Sequence, residues 1–454
     1  MNKRKKILKN VTILCIIIMP FVAFSQESTT GKSVLHLDLQ TALKIAHDNN
    51  PTLKVADLEI QRVDYSKKET IGNLLPTVSA TGQYTNNIMK SVMFMPASMS
   101  AMMGGQSYME IGYKNSYTGT ISASMPLINF ALWEQIKAKQ TEIDLILEKS
   151  RSSDLDMTKQ VRDAYFNVLL AKSSLLVMER SIANANEVLQ TTKTAYEHGA
   201  SSEYDYIRAQ VQVNSLTPSY ISAKNGIDLA EMQLKMLLSL PESQEIETSE
   251  TLEDYENNFN LYDNYQANRD YTNNTELRQL DLQIEQLQHT LKMTKYQHLP
   301  SLSAFGQYAY QTQAEDYKIS DYKWVSSAAI GLTLNIPIFN GNTILNQTKQ
   351  AEISLKELQL QRDYLSDGTN LQVQSALNNM KTAKEQLVVN KEAIAQAQRG
   401  YDIAKVKYQT GSGTILELND SELSLTQAHL NYQQSIYDYV NAQTAYENAL
   451  GKIK

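Results

Sequence analysis

Two rows of large apolar residues, each stepping by seven, dominate the pattern of this chain. The first row is Val161, Val168, Leu175, Ile182, Leu189 and Tyr196; the second is Val373, Met380, Leu387, Ile394, Tyr401 and Tyr408. Three residues after each comes a mostly small one: Ala164, Ala171, Met178, Ala185 and Thr192, then Ala376, Ala383, Asn390, Ala397 and Ala404. A sustained seven-residue period predicts a coiled-coil seam, and small side chains beside it let neighbouring helices approach closely. The rows lie 212 residues apart in one phase, so the chain reads as a duplication. Each row ends on a matching turn, Tyr196-Glu197-His198-Gly199-Ala200 and Tyr408-Gln409-Thr410-Gly411-Ser412. Glycine just past a helix is the usual C-terminal cap. There is no proline between Pro126 and Pro218, nor after Pro337. A helix from about Ala131 to Glu197 would be roughly 100 Å long at the α-helical rise. Return helices are expected near 203–240 and 415–450, the latter with Leu416, Leu423, Leu430 and Tyr437 in a further heptad row. Pro218 predicts a kink in the first of them.

Ahead of each long helix the period changes to two. Val78, Ala80, Gly82 and Tyr84 alternate with Thr77, Ser79, Thr81, Gln83 and Thr85. Tyr117, Gly119, Ile121, Ala123 and Met125 alternate with small polar residues up to Pro126. In the second half Leu302, Ala304, Gly306, Tyr308 and Tyr310 do the same, with Phe305 breaking the polar series; Ala328, Ile330, Leu332, Leu334 and Ile336 follow, ending at Pro337. Nearly uncharged strands of about ten residues, oily on one face and wet on the other, carry the signature of a transmembrane β-barrel. Tyr84, Tyr113, Tyr117, Tyr308, Tyr310, Tyr322 and Trp324 near the strand ends suit an interfacial aromatic girdle. Four strands cannot close a barrel, so protomers must share one; two chains would give eight strands and three would give twelve. Helical pattern also runs from Leu37 to about Asn73 and from about Thr275 to His298.

The fold class is thus an α+β membrane protein with a duplicated helix–strand–strand–long-helix–helix unit. Residues 1–25 read as a signal peptide: Lys3, Arg4, Lys5 and Lys6, an apolar stretch from Val11 to Phe24, then small residues around Ser25. The first unit spans 26–240, with strands near 77–88 and 113–125 and long helices over about 128–240. An acidic, Asn- and Tyr-rich segment over 241–275 joins it to the second unit, 276–454, with strands near 301–313 and 324–336 and helices over about 343–450. Cys15, the one cysteine, lies inside the signal and lacks the small preceding residue of a lipoprotein site. Its removal leaves no thiol chemistry. It also removes five basic residues, taking the formal charge from -7 to -12. An acidic exported chain does not suit nucleic acid. No apolar run after the signal is long enough for a spanning helix, so insertion must be by closed barrel. The six histidines show no metal-protease spacing, and no phosphate loop or nucleophile elbow appears, which argues against an enzyme and gives no cofactor.

In order and in duplicate, several short motifs resemble the TolC family of outer-membrane efflux proteins. They are the Leu37–Leu43 opening with Asn50-Pro51-Thr52-Leu53, the Leu-Pro strand entries at Leu75 and Leu299, the strand exits Pro126-Leu127-Ile128-Asn129 and Pro337-Ile338-Phe339-Asn340-Gly341, and the two tip turns. The resemblance covers essentially the whole chain after the signal. It implies a homotrimer with a twelve-stranded barrel and an α-helical periplasmic tunnel. It implies a passive exit duct of a tripartite efflux pump or type I secretion system. The partners would be outer-membrane lipid, a periplasmic adaptor and an inner-membrane transporter of the RND, ABC or MFS type, which selects the cargo.

By position after the second tip, the resemblance makes Glu417 and Asp420 the acids lining the periplasmic aperture. Their i, i+3 spacing puts both on one helical face. Acids at a helix start also simply complement the dipole. Asp205 resembles the family acid that latches adjacent helices. The position of a basic latch partner in some members holds Gly413. The tips, Gly199, Ala200 and Ser201 with Gly411, Ser412 and Gly413, are the expected adaptor contact. Met89, Met93, Met95, Met99, Met102, Met103 and Met109 crowd the first hairpin loop. Thioethers are soft ligands for Cu(I) or Ag(I), which keeps a heavy-metal efflux channel open as an alternative, although methionine also fills irregular apolar surface. The other alternative is a periplasmic coiled-coil adaptor or structural protein, which accounts for the helices but not for four alternating strands bounded by proline.

Overall fold

The computed structural model describes residues 34–98, 104, 107–261 and 270–453. The expected signal peptide, with Cys15, and Met99, Met102 and Met103 lie outside the described residues. The described chain opens with β1 (Leu35–Leu37), α1 (Leu39–Asn49) and α2 (Pro51–Gly72). Strand β2 (Thr77–Asn86), a small hairpin β3 (Ser91–Phe94) and β4 (Tyr108–Ile111), and β5 (Asn115–Ile128) follow. Two helices come next, α3 (Phe130–Glu197) and α4 (Glu203–Leu237). Beyond β6 (Ile246–Thr248) and a 3-10 segment (Leu252–Leu261) run α5 (Thr275–Tyr296), β7 (Ser301–Ala314), β8 (Val325–Asn335), α6 (Thr343–Gln409) and α7 (Ile415–Ala449). Among the described residues no helix is long and apolar enough to cross a membrane.

One four-stranded antiparallel sheet has the order β2-β5-β7-β8. Its register carries the alternation across all four strands. Val78 pairs with Ala123, which pairs with Gly306, which pairs with Ile330; the next apolar row is Ala80, Ile121, Tyr308 and Ala328. The interleaved rows are small or polar, as in Ser79, Ser122, Gln307 and Ala329. Hydroxyls pair on that side, Thr77 with Ser124 and Ser79 with Ser122, each at 2.9 Å. Phe305 departs from the polar series because it covers a glycine: a Cβ on Gly331 would lie 2.8 Å from the Phe305 ring. Aromatic rings collect at both ends of the sheet. Tyr84 stacks on Tyr117 and Tyr310 on Trp324 at one end, and Phe130 meets Trp133 edge-on at the other.

Helices α3 and α6, 68 and 67 residues long, are each about 100 Å in length. The heptad residues nearest mid-helix are the core: Val161, Val168, Val373 and Met380 are at most 1% exposed. They meet Tyr165, Phe166, Ile436, Tyr439 and Tyr446 in one cluster. The small partners Ala164, Ala185, Thr192, Ala376, Ala383 and Ala404 are buried too, which is where the helices come close.

Three expectations are corrected. Leu37 does not open the helix: Leu35, His36 and Leu37 pair in parallel with Ile246, Glu247 and Thr248. Helix α1 starts only after Asp38, whose carboxylate accepts from Thr41 N at 2.7 Å. The second long strand does not stop at Pro126 but continues to Ile128, because a register shift between Pro126 and Ile128 absorbs the missing donor. Helix α4 contains Pro218 and ends at Leu237, short of the expected 240. There Ser239 takes a positive φ of 55°, and Leu240 N donates to Lys235 O at 2.9 Å, closing the helix.

Two buried asparagines join the helices in matching ways. Asn50 accepts from Thr52 N at 2.8 Å to start α2 and donates to Leu237 O, at the end of α4, at 2.9 Å. Asn274 accepts from Leu277 N at 3.0 Å to start α5 and donates to Ala449 O, at the end of α7, at 2.9 Å. Each amide caps one helix start and one helix end, satisfying groups that a helix terminus leaves open.

Candidate functional site

The two tips are built alike. Gly199 and Gly411 adopt the left-handed conformation, at φ of 72° and 73°. Ala200 N donates to Ala195 O at 2.8 Å and Ser412 N to Lys407 O at 2.9 Å, the same six-to-one closure on each long helix. Each return helix then starts on a hydroxyl cap: Ser202 Oγ accepts from Asp205 N at 3.1 Å, and Thr414 Oγ1 from Glu417 N at 3.2 Å. Both tips lie at one end of the bundle. Close behind them, Tyr408 OH meets Thr192 Oγ1 at 2.7 Å, and Lys405 Nζ pairs with Glu187 at 2.9 Å. Those contacts tie α6 to α3.

The acids at the tips differ in their engagement. Asp205 accepts from Ser202 Oγ at 2.8 Å and Ser201 Oγ at 3.4 Å, so within one chain it completes the cap. Arg208 does not pair with it; its Nε donates to Tyr204 OH at 2.8 Å and its guanidinium lies over that ring. Glu417 and Asp420 are exposed on the first turns of α7, and neither makes an ion pair among the described residues. Gly413 follows the second tip glycine, just before the cap residue Thr414. A Cβ there would lie 2.8 Å from Lys407 Cβ and 3.2 Å from Glu417 Oε2, so no side chain fits without moving the turn.

Above the tip, between α3, α6 and α7, lies a polar site that the heptad pattern does not mark. Glu422 is 5% exposed and accepts from Asn184 Nδ2 at 3.2 Å. Burial pushes its carboxyl above the usual range, against hydrogen bonds from Asn184, Ser181 and Thr426. Near the middle of α3, Glu250 accepts from Tyr165 OH and Tyr255 OH, each at 2.7 Å, and from Leu39 N at 3.2 Å. The acidic joining segment is thereby fixed to α3 and to the start of α1.

The Met-rich loop forms the β3–β4 hairpin, in which Met93 stands opposite Met109. Met95 N donates to Ser107 O at 3.0 Å, and Met89 is almost fully exposed. Among the described residues no cluster of His, Cys, Asp or Glu has the makings of a metal site.

A helical bundle on a sheet with one oily and one wet face defines the class of outer-membrane channel proteins. The model of the "Outer membrane efflux protein" family matches residues 42–239 and 269–452, and the chain belongs to that family. It is an outer-membrane protein. The chain is similar to outer membrane protein TolC of Vibrio cholerae, 22% identical over 341 residues, covering 72% of this chain and 76% of the relative. It is similar to alkaline protease secretion protein AprF of Pseudomonas aeruginosa, 22% identical over 335 residues, covering 72% and 68%. Among solved structures, the outer membrane protein VceC of Vibrio cholerae shares the fold with a TM-score of 0.73 at 15% identity, covering 92% of this chain and 97% of that one.

Proposed function

We propose that three copies of this chain form a passive exit duct. Each gives four strands to a twelve-stranded barrel, and its long helices form a tunnel in the periplasm. The observation that carries this is the sheet: one face apolar across four strands, with both edge strands, β2 and β8, paired on one side only among the described residues. Open edges in a membrane leave backbone groups unsatisfied, and only closure with further copies removes them. Three copies follow the family resemblance; two would give the smallest barrel. The duplicated order of elements, and a family model that matches in two stretches, support the reading of two units, 26–240 and 276–454, joined by 241–275.

The duct would receive cargo from an inner-membrane transporter through a periplasmic adaptor seated on the tips around Gly199 and Gly411. Small molecules or proteins are the cargo classes, the latter in keeping with the name of the relative AprF. Glu417 and Asp420 would form two stacked acidic rings at the aperture, which concentrate cations there, and Asp205 would line the same opening. The double change Glu417→Ala with Asp420→Ala is expected to weaken divalent-cation block of the pore by about tenfold or more. Block by magnesium in a planar bilayer, unchanged in the double variant, would remove these two residues from the gate.

A further inference from the structure

Glu422 is an acid in the wrong place for a coiled coil. It sits on α7 facing α3 and α6, 5% exposed, beside a cavity of about 270 Å³. Its tie to α3 is Asn184, whose amide donates to both carboxylate oxygens at 3.4 and 3.2 Å. The hydroxyls of Thr426 and Ser181, bonded to each other at 3.0 Å, lie against it. On α6, Tyr401 lines the same cavity, also 5% exposed, and its hydroxyl has no hydrogen-bond partner among the described residues.

The charges around the site do not neutralise it. Lys405 of α6 is the attractive cation, but its ammonium is held by Glu187 of α3 at 2.9 Å. Glu187 and Asp402 are themselves negative. Arg180 of α3 lines the cavity from an exposed position, where water screens it. His429 of α7 is kept below its ordinary value by burial and by Arg180, so it brings no positive charge at neutral pH. Among the described residues an ionised carboxylate here has no dedicated counter-charge, and taking such a charge out of water is costly. A neutral carboxyl group would keep the Asn184 bond and gain a proton to donate toward its hydroxyl neighbours.

We propose that Glu422 is a proton-operated joint: neutral, it holds α7 to α3 just above the tip, and ionised, it loosens that contact. The direction follows from linkage. The folded chain keeps this proton at a higher pH than the unfolded chain does. The joint is therefore strongest in acid, and its contribution falls as pH rises from the ordinary carboxyl value of 4.5 through the raised folded value. The idea rests on the duct reading only for its place beside the aperture, and its test needs no channel.

The test compares the full chain in detergent with Glu422→Gln, which mimics the neutral acid. Thermal melting of the helices is followed by circular dichroism from pH 7.5 to pH 4.5. All other acids titrate in both proteins, so the difference between them isolates Glu422. The variant is expected to melt at a higher temperature at pH 7.5, with the gap closing toward pH 4.5. Infrared difference spectra should show a buried carboxylic-acid carbonyl band that grows on acidification and is missing in the variant. A variant that melts lower at pH 7.5, a gap that ignores pH, or a variant that does not fold would each overturn the proposal. Failure here with normal conductance would leave the duct reading standing; loss of conductance with a normal melting gap would do the reverse.

Discussion

Replacing Ile330 with lysine is expected to abolish insertion into the outer membrane. Ile330 lies mid-strand in β8, 92% exposed in the single chain, on the apolar row shared with Gly306, Ala123 and Val78. A lysine at the lipid-facing midplane of a barrel costs roughly 2–4 kcal/mol, and a trimer would incur that three times. Ser327→Lys, a few residues along the same strand but on the polar rows, should be tolerated and alter only ion selectivity. Outer-membrane fractionation and heat-modifiable migration on gels read the result. Equal tolerance of both substitutions would mean that the apolar face does not meet lipid.

Removing the carboxylate of Glu250 is expected to cost about 3 kcal/mol, from charge-assisted hydrogen bonds worth roughly 1.5–3 kcal/mol each. Burial, and then the bond to Glu250 itself, hold the phenols of Tyr165 and Tyr255 well above their ordinary range, so both stay protonated and donate to it. In Glu250→Ala, Tyr165, 0% exposed, keeps only the longer 3.3 Å bond to Leu37 O. The joining segment would then come away from α3. Urea unfolding followed by tyrosine fluorescence gives the size of the loss, and Glu250→Gln should fall between wild type and alanine. A stability change below about 1 kcal/mol would show that the segment is held by its apolar contacts, such as Leu252, instead.

The parts of this molecule that were legible in the sequence are those built on long periods. The heptads of α3 and α6 extend over many turns, and the strand alternation holds for ten residues at a time, so neither depends on a distant partner. The rest depends on pairing across the chain. Strands β1 and β6 are three residues each, too short for any period, and exist because they pair with one another. The roles of Asn50 and Asn274 follow from carbonyls 187 and 175 residues away. Glu422 is hidden for a different reason. Helix α7 is surrounded, and it buries Thr426, Gln433, Ser435, Gln443 and Thr444 alongside its apolar residues. A helix that buries polar groups on several sides offers no apolar stripe from which an inward-facing acid would stand out. The tip glycines were visible as caps, but the reason Gly413 is glycine, its approach to Lys407, lies only in the folded turn.

The most direct test of the duct is single-channel recording of the purified mature protein in a planar bilayer. Small, long-lived, cation-selective steps are the expected result, from a closed barrel whose far end narrows at acidic tips. Folded, helical protein that never inserts would contradict the account, and would mean that the four-stranded sheet does not close into a membrane barrel.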